Sequence, residues 1–217
     1  MAGKKVKFNY DKVKERGIYD FLRPLGRFIC RCFYKVEYTG MENIPEEGGF
    51  IMASNHIHAL DPLLIAMGMK KRQLHFMAKK ELFENRFVAW FISMVNAFPI
   101  VRGGADTKAL DFAKKIPAEG YVLGIFIEGT RSKDGTPQKA KKGVASIANA
   151  SHCKILPVSV YNNEGLKKHT KYTVRFGKPI EYEELGLPDE PSRDELGVAA
   201  DYVMDKIKVL WEEGHCK

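Results

Sequence analysis

From residue 36 onward, short apolar runs alternate with longer stretches in which apolar side chains recur every three or four positions. The runs predict strands at 36–39, 50–53, 74–78, 98–101, 121–127, 155–160 and 172–176. The longer period predicts helices at 62–69, 83–95, 107–116, 143–150 and 194–213. Strands alternating with helices in this way predict an α/β fold, a mixed and largely parallel central sheet flanked by helices. No internal repeat or low-complexity tract interrupts the alternation.

Residues 18–34, IYDFLRPLGRFICRCFY, carry a different pattern. Ile18, Phe21, Leu22, Leu25, Phe28, Ile29, Cys32 and Phe33 recur at helical spacing and give one apolar face, while Arg23, Arg27 and Arg31 fall on another. Pro24 lacks an amide proton and disfavours helical geometry at Arg23, so it predicts a kink or a break between two short helices. The charges leave this segment unable to span a bilayer, which takes about 20 mostly apolar residues, but suit it to lie on one. Residues 1–35 are therefore expected to form a basic, amphipathic, membrane-associating unit, and residues 36–217 the α/β domain. The longest uncharged run, FVAWFISMVNAFPIV at 87–101, is also short of a span. It reads as a buried helix followed by a buried strand, or as an apolar groove wall or membrane-dipping surface.

With 217 residues, 45% of them hydrophobic and 29% charged, the chain can bury one full core, which argues against intrinsic disorder and against a multi-domain machine. Its formal charge of +8 is unevenly spread. Residues 1–35 carry 10 basic and 3 acidic side chains, residues 36–180 carry 21 and 13, and residues 181–217 carry 4 and 11. An anionic partner would meet the N-terminal and central parts first; on charge alone nucleic acid, anionic lipid and a phosphorylated substrate all remain open. Cys30, Cys32, Cys153 and Cys216 have neither zinc-site spacing nor the density of a disulfide scaffold and read as small hydrophobes. No apolar stretch with a small-residue cleavage site follows the basic N-terminus, so the chain is expected on the cytoplasmic side.

Chemistry concentrates where strands end. The run FIMAS leads into NHIHALDPLLIAM, in which His56 and Asp61 flank a short strand-to-helix turn. Pro62 suits the first position of a helix and Asp61 is expected to be its N-cap. A turn that folds back lets the Asp61 carboxylate fix one imidazole nitrogen and leave the other as a base, with the nucleophile supplied by the substrate. A capping Asp beside a surface His is the plain alternative. A metallo-hydrolase competes too, because His56, His58 and Asp61 resemble the start of an HxHxDH motif, which His75, His152, His169 and His215 do not complete; that class predicts loss of activity with chelator.

A second strand, YVLGIFI, leads into EGTRSKDG, where Gly129 frees the backbone to turn and Glu128, Thr130 and Arg131 reach the same sheet edge as His56. The planar fork of Arg131 matches phosphate oxygens, although a solvated charged hairpin would look the same in sequence. Lys79 follows a third strand and Arg102 a fourth. Together these predict a base beside an anion site, as needed for transfer to a hydroxyl on a phosphorylated substrate.

Taken in order, NHIHALD, FPIVRG, FIEGTRS and ILPVSV resemble the four blocks of the glycerolipid acyltransferase family that includes the bacterial 1-acylglycerol-3-phosphate acyltransferases. The resemblance covers about residues 36–180. It implies a glycerol-3-phosphate acyltransferase-like fold and transfer of a fatty acyl group from acyl-CoA or acyl-carrier protein to the sn-2 hydroxyl of a lysophosphatidic acid. On it His56 is the base and Asp61 orients it. Lys79, Arg102, Glu128, Gly129, Thr130 and Arg131 serve the acceptor, with Arg131 on its phosphate, and Pro157 and Val158 lie near the acyl-donor path. No metal and no cofactor beyond the acyl-thioester co-substrate are implied. The implied partners are an anionic membrane surface and a lysophospholipid, not nucleic acid, and the implied place is the cytoplasmic face of the cell membrane, peripheral or monotopic. His58 stands where the family often has Ser, and Val101 where it often has Asp. Glycerol 3-phosphate or another lysophospholipid as acceptor stays open, as does a non-catalytic membrane-binding protein.

Overall fold

The computed structural model describes residues 8–69, 71–101, 106–164 and 170–216. Among these residues seven strands form one sheet: β1 (Lys35–Thr39), β2 (Phe50–Ser54), β3 (Leu74–Lys79), β4 (Phe98–Ile100), β5 (Val122–Phe126), β6 (Lys154–Tyr161) and β7 (Lys171–Phe176), in the order β1-β7-β6-β2-β5-β3-β4. All neighbours are parallel except β6 and β7, which are antiparallel. Among the described residues six helices accompany them: α1 (Gly17–Phe33), α2 (Asp61–Gly68), α3 (Arg86–Met94), α4 (Thr107–Ala118), α5 (Gly143–Ser151) and α6 (Arg193–Glu212).

Both faces of the sheet are covered, which is why β2 reads as an unbroken apolar run: all five of its residues are buried. One layer contains α4, α5 and α6, whose Phe112, Ile116, Val144 and Ile207 pack with Ile51, Leu123 and Ile155. The other contains α1 and α2, whose Tyr19, Leu64 and Ile65 pack with Phe50, Met52, Val158 and Tyr172. The crossover from β3 to β4 moves along the sheet in the same direction as that from β2 to β3, so right-handedness puts α3 in the α2 layer. Ser192 and Glu195 close a reciprocal capping box that starts α6.

Each expected strand is present, with ends shifted by a residue or so. Three helical features differ from expectation. First, α1 is one helix with Pro24 inside it. One missing amide is tolerated because the turns on either side are tied down: Tyr19 is buried, Arg23 pairs with Asp20 at 2.9 Å, and Arg27 Nε donates to the Met67 carbonyl at 2.9 Å. Second, the helix expected at 83–95 begins at Arg86, because Asn85 accepts from the Phe87 and Val88 amides, leaving Lys80–Phe83 as a separate 3₁₀ turn. Third, Asp61 lies in the first turn of α2 rather than at its cap, which is Leu60, and no side chain caps this helix.

Arg23 and Arg27 of α1 therefore reach the body, while on the other face Phe21 is 79% and Phe28 64% exposed, with Ile18 and Leu25 also exposed. In α3 Ala89 is buried whereas Phe87, Val88 and Trp90 are exposed, since an edge strand offers a helix little sheet to cover. Among the described residues no helix is long and apolar enough to cross a membrane. Cys30 and Cys153 are buried as expected, but Cys32 is exposed and Cys216 half-buried; all four are free thiols.

Candidate active site

The strands β2 and β5 are parallel neighbours whose connections leave toward opposite faces, through α2 on one and α5 on the other. A crevice opens at the carboxyl end of such a pair. His56 follows β2 by two residues, and Glu128 follows β5 by two.

Within the turn after β2, the Asp61 carboxylate folds back. Its Oδ2 lies 2.8 Å from His56 Nδ1 and accepts from the Ile57 and His58 amides at 2.7 Å each. The carboxylate that was expected to cap α2 thus organises the turn before it, and Asp61 is fully buried. An ionised carboxylate accepts only, so Nδ1 carries the proton and the lone pair sits on Nε2. Among the described residues no hydrogen bond reaches that nitrogen. The His58 ring is differently engaged, its Nδ1 accepting from the Leu60 amide at 3.2 Å. Burial lowers the His58 pKa, with the Arg131 and His56 charges adding to the effect and Asp61 opposing it.

The β5 turn brackets His56 from the other side. The Ser132 amide donates to the His56 carbonyl at 2.7 Å, and the His56 amide to Glu128 Oε1 at 3.4 Å. Gly129 takes φ +71°, a left-handed conformation that a side chain would strain. It turns the chain so that Thr130 and Arg131 stand exposed beside the crevice. Beyond them Asp134 Oδ1 accepts from Ser132 Oγ, the Thr136 amide and hydroxyl, and Gln138 Nε2, which knots the loop and draws the Asp134 carboxyl down to about 2. Glu128 is 2% exposed, and burial pushes its pKa up to about 7 against the hydrogen bonds it accepts. Its Oε2 has no hydrogen-bond partner among the described residues.

Two residues that sequence reasoning passed over position the His56 imidazole. Asn55 clamps β6, donating to the Val160 carbonyl at 2.9 Å and accepting from its amide at 2.8 Å, so the strand end before His56 is fixed by side-chain bonds. Phe126 stacks on the His56 imidazole with ring centres 3.9 Å apart, and Phe76 stacks on Phe126 at 5.7 Å. This column needs Gly124, where an added Cβ would lie 2.5 Å from the Phe76 ring. The only sequence signal was a bare glycine in an otherwise bulky strand.

Lys79 ends β3 on the same sheet edge, exposed and paired with Glu81 at 3.3 Å. Arg102 lies outside the described residues. Pro157 and Val158 are buried in β6 opposite Ala53 and Ser54, Val158 within the apolar core. Among the described residues no group of three His, Cys, Asp or Glu side chains could hold a metal ion. The arrangement as it stands can take a proton at His56 Nε2 and meet an anion at Arg131.

Residues 35–161 match the family model described as Acyltransferase. The chain is 29% identical over 196 residues to the 1-acyl-sn-glycerol-3-phosphate acyltransferase of Bacillus subtilis, covering 89% of this chain and 96% of that one. It is also 29% identical over 189 residues to the enzyme of the same name from Streptococcus pneumoniae, covering 83% and 70%. The crystal structure of the 1-acyl-sn-glycerophosphate (LPA) acyltransferase PlsC from Thermotoga maritima superposes with a TM-score of 0.72 at 28% identity, covering 90% of this chain and 79% of the other.

Proposed function

We propose, from the premise that the chain belongs to the acyltransferase family, that it moves a fatty acyl group from acyl-CoA or acyl-carrier protein to the sn-2 hydroxyl of 1-acyl-sn-glycerol 3-phosphate, giving phosphatidic acid. The observation that carries this is the His56–Asp61 contact of 2.8 Å with Nε2 left open toward the crevice. The names of the B. subtilis and T. maritima relatives support the choice of acceptor.

In this reading His56 Nε2 takes the proton of the acceptor hydroxyl as its oxygen attacks the thioester carbonyl. The carbonyl carries the negative charge through a tetrahedral intermediate, which collapses with breakage of the carbon–sulfur bond. The imidazolium then returns its proton to the departing thiolate. Asp61 holds the tautomer and opposes the charge on the ring while it is protonated. Arg131 grips the acceptor phosphate, Lys79 adds positive charge at the same sheet edge, Arg102 serves the acceptor as well, and Glu128 with Gly129 and Thr130 shapes the acceptor pocket. Pro157 and Val158 act through the sheet behind the donor path. The outward apolar face of α1 lies in the membrane interface, where both the lysophospholipid and a long-chain donor are found.

A panel of acceptors with one acyl thioester, scored by product mass, tests the assignment. Phosphatidic acid formed from lysophosphatidic acid is expected. Acylation of glycerol 3-phosphate or of another lysophospholipid in its place would move the acceptor, and no thiol release with any acceptor would remove the enzyme reading. Arg131→Ala is expected to raise KM for the phosphorylated acceptor, with kcat little changed; an equal loss with a phosphate-free acceptor would take the phosphate away from Arg131.

A further inference from the structure

At the sheet edge opposite His56, residues 8–16 pass under the amino ends of β3 and β4 and meet α3. Between them lies a cleft of about 600 Å³. Lys12, Lys14, Arg16 and Arg86 line it with Trp90 and Asn96, and no acidic residue does. Among the described residues none of those four cations forms an ion pair, so the charge is not neutralised internally.

A second feature points to a ligand with more than charge. Asn96 is 6% exposed and sits in the left-handed turn between α3 and β4, at φ 58°. Its Nδ2 donates to Gln73 Oε1 at 2.9 Å. The Gln73 amide cannot be reversed, because its Oε1 accepts from the Arg16 amide and its Nε2 donates to the Arg16 carbonyl and to Asp20. Asn96 Oδ1 is consequently fixed as a buried acceptor, and among the described residues it has no donor. Buried acceptors in native proteins nearly always have one. The rim is apolar: Trp90 is 65% exposed, and Phe87, three residues earlier on the same helix face, is 85% exposed.

We propose that this cleft holds the headgroup of an anionic phospholipid that bears both a phosphodiester and a free hydroxyl, phosphatidylglycerol being the simplest, with its acyl chains lying against Phe87 and Trp90. The four cations meet the phosphate, and a headgroup hydroxyl supplies the donor that Asn96 Oδ1 lacks. An acidic protein face would also meet the cations; the outward Phe21 and Phe28 of α1 favour a membrane as the partner. The inference rests on the membrane contact assigned to α1 and is separate from the crevice at His56.

The test uses the full chain and phosphatidylcholine vesicles with the same mole fraction of either phosphatidylglycerol or phosphatidylserine. Tighter binding to the phosphatidylglycerol vesicles is expected. The double variant Lys14→Gln, Arg86→Gln should lose that preference and bind those vesicles roughly 25-fold more weakly, about fivefold for each cation removed. Acyl transfer in neutral detergent micelles should stay at the wild-type rate. Equal binding of the wild-type chain to both vesicles, or equal loss on both in the variant, would reduce the cleft to general surface charge and overturn the site. Loss of acyl-carrier protein binding in the variant, with the lipid preference kept, would overturn it in favour of a protein partner. Failure to bind any vesicle sinks the α1 membrane contact along with the site, whereas failure of acyl transfer in detergent bears only on the proposed reaction.

Discussion

At the scale of single residues, the Asp61 carboxylate holds three donors on one oxygen, and two of them are the backbone amides of the turn that carries His56. The same atom therefore sets the tautomer and the shape of the turn. His56→Ala is expected to reduce turnover about 10²- to 10⁴-fold, the usual contribution of a positioned base, with a circular-dichroism melt close to wild type, since the hydrogen bonds from Ser132 and to Glu128 use the His56 backbone. Asp61→Asn should differ by lowering both turnover and melting temperature, because a neutral amide oxygen is a weaker acceptor for the same three donors and its NH2 would stand buried where Oδ1 has no partner among the described residues. Wild-type turnover in His56→Ala would leave the pair without a catalytic role. The pairing was legible in the sequence from a His and an Asp around a short turn. The placement of Asp61 was not, because Asp followed by Pro at a helix start is ordinarily a cap, and only the folded turn shows a competing set of donors.

At the scale of elements, α1 is inverted relative to a helix that merely covers a core. Two of its arginines contact the body: Arg23 reaches Asp20 and the Arg72 carbonyl, and Arg27 the Met67 carbonyl. On the opposite face Phe21 and Phe28 remain exposed. Apolar periodicity announced a two-faced helix, but periodicity is blind to which face turns inward. Replacing Phe21 and Phe28 with Asp is expected to lower vesicle binding by at least about tenfold, since burying an aromatic side chain contributes about 2 kcal/mol, while the melting temperature of the protein in water stays within a few degrees. Arg27→Ala should do the reverse in part, loosening α1 from α2 and lowering the melting temperature. Flotation and a thermal melt on the same samples check both.

For the whole molecule, five parallel strands end at one sheet edge and bring together groups far apart in sequence, among them Glu128 against the amide of His56. Burial raises the Glu128 pKa to about 7 from an ordinary 4.5. The folded state then binds the proton more tightly than the unfolded chain, so stability is highest below about pH 4.5 with respect to this group and falls as pH rises toward 7. Glu128→Gln should flatten that dependence, which urea titrations at pH 5 and pH 7.5 would register; an unchanged slope would mean that Glu128 titrates as an ordinary carboxylate. The sequence by itself determined the α/β alternation, the seven strands and the motifs at their ends, because periodicity and turn chemistry are local. Tertiary structure alone decided which strands are neighbours, which way α1 faces, how Asn55 and Phe126 aim the imidazole, and that a basic cleft with an unsatisfied Asn96 lies at the far edge. Those depend on contacts between residues separated by a hundred positions or more, such as Asn55 with Val160, and no local pattern records them.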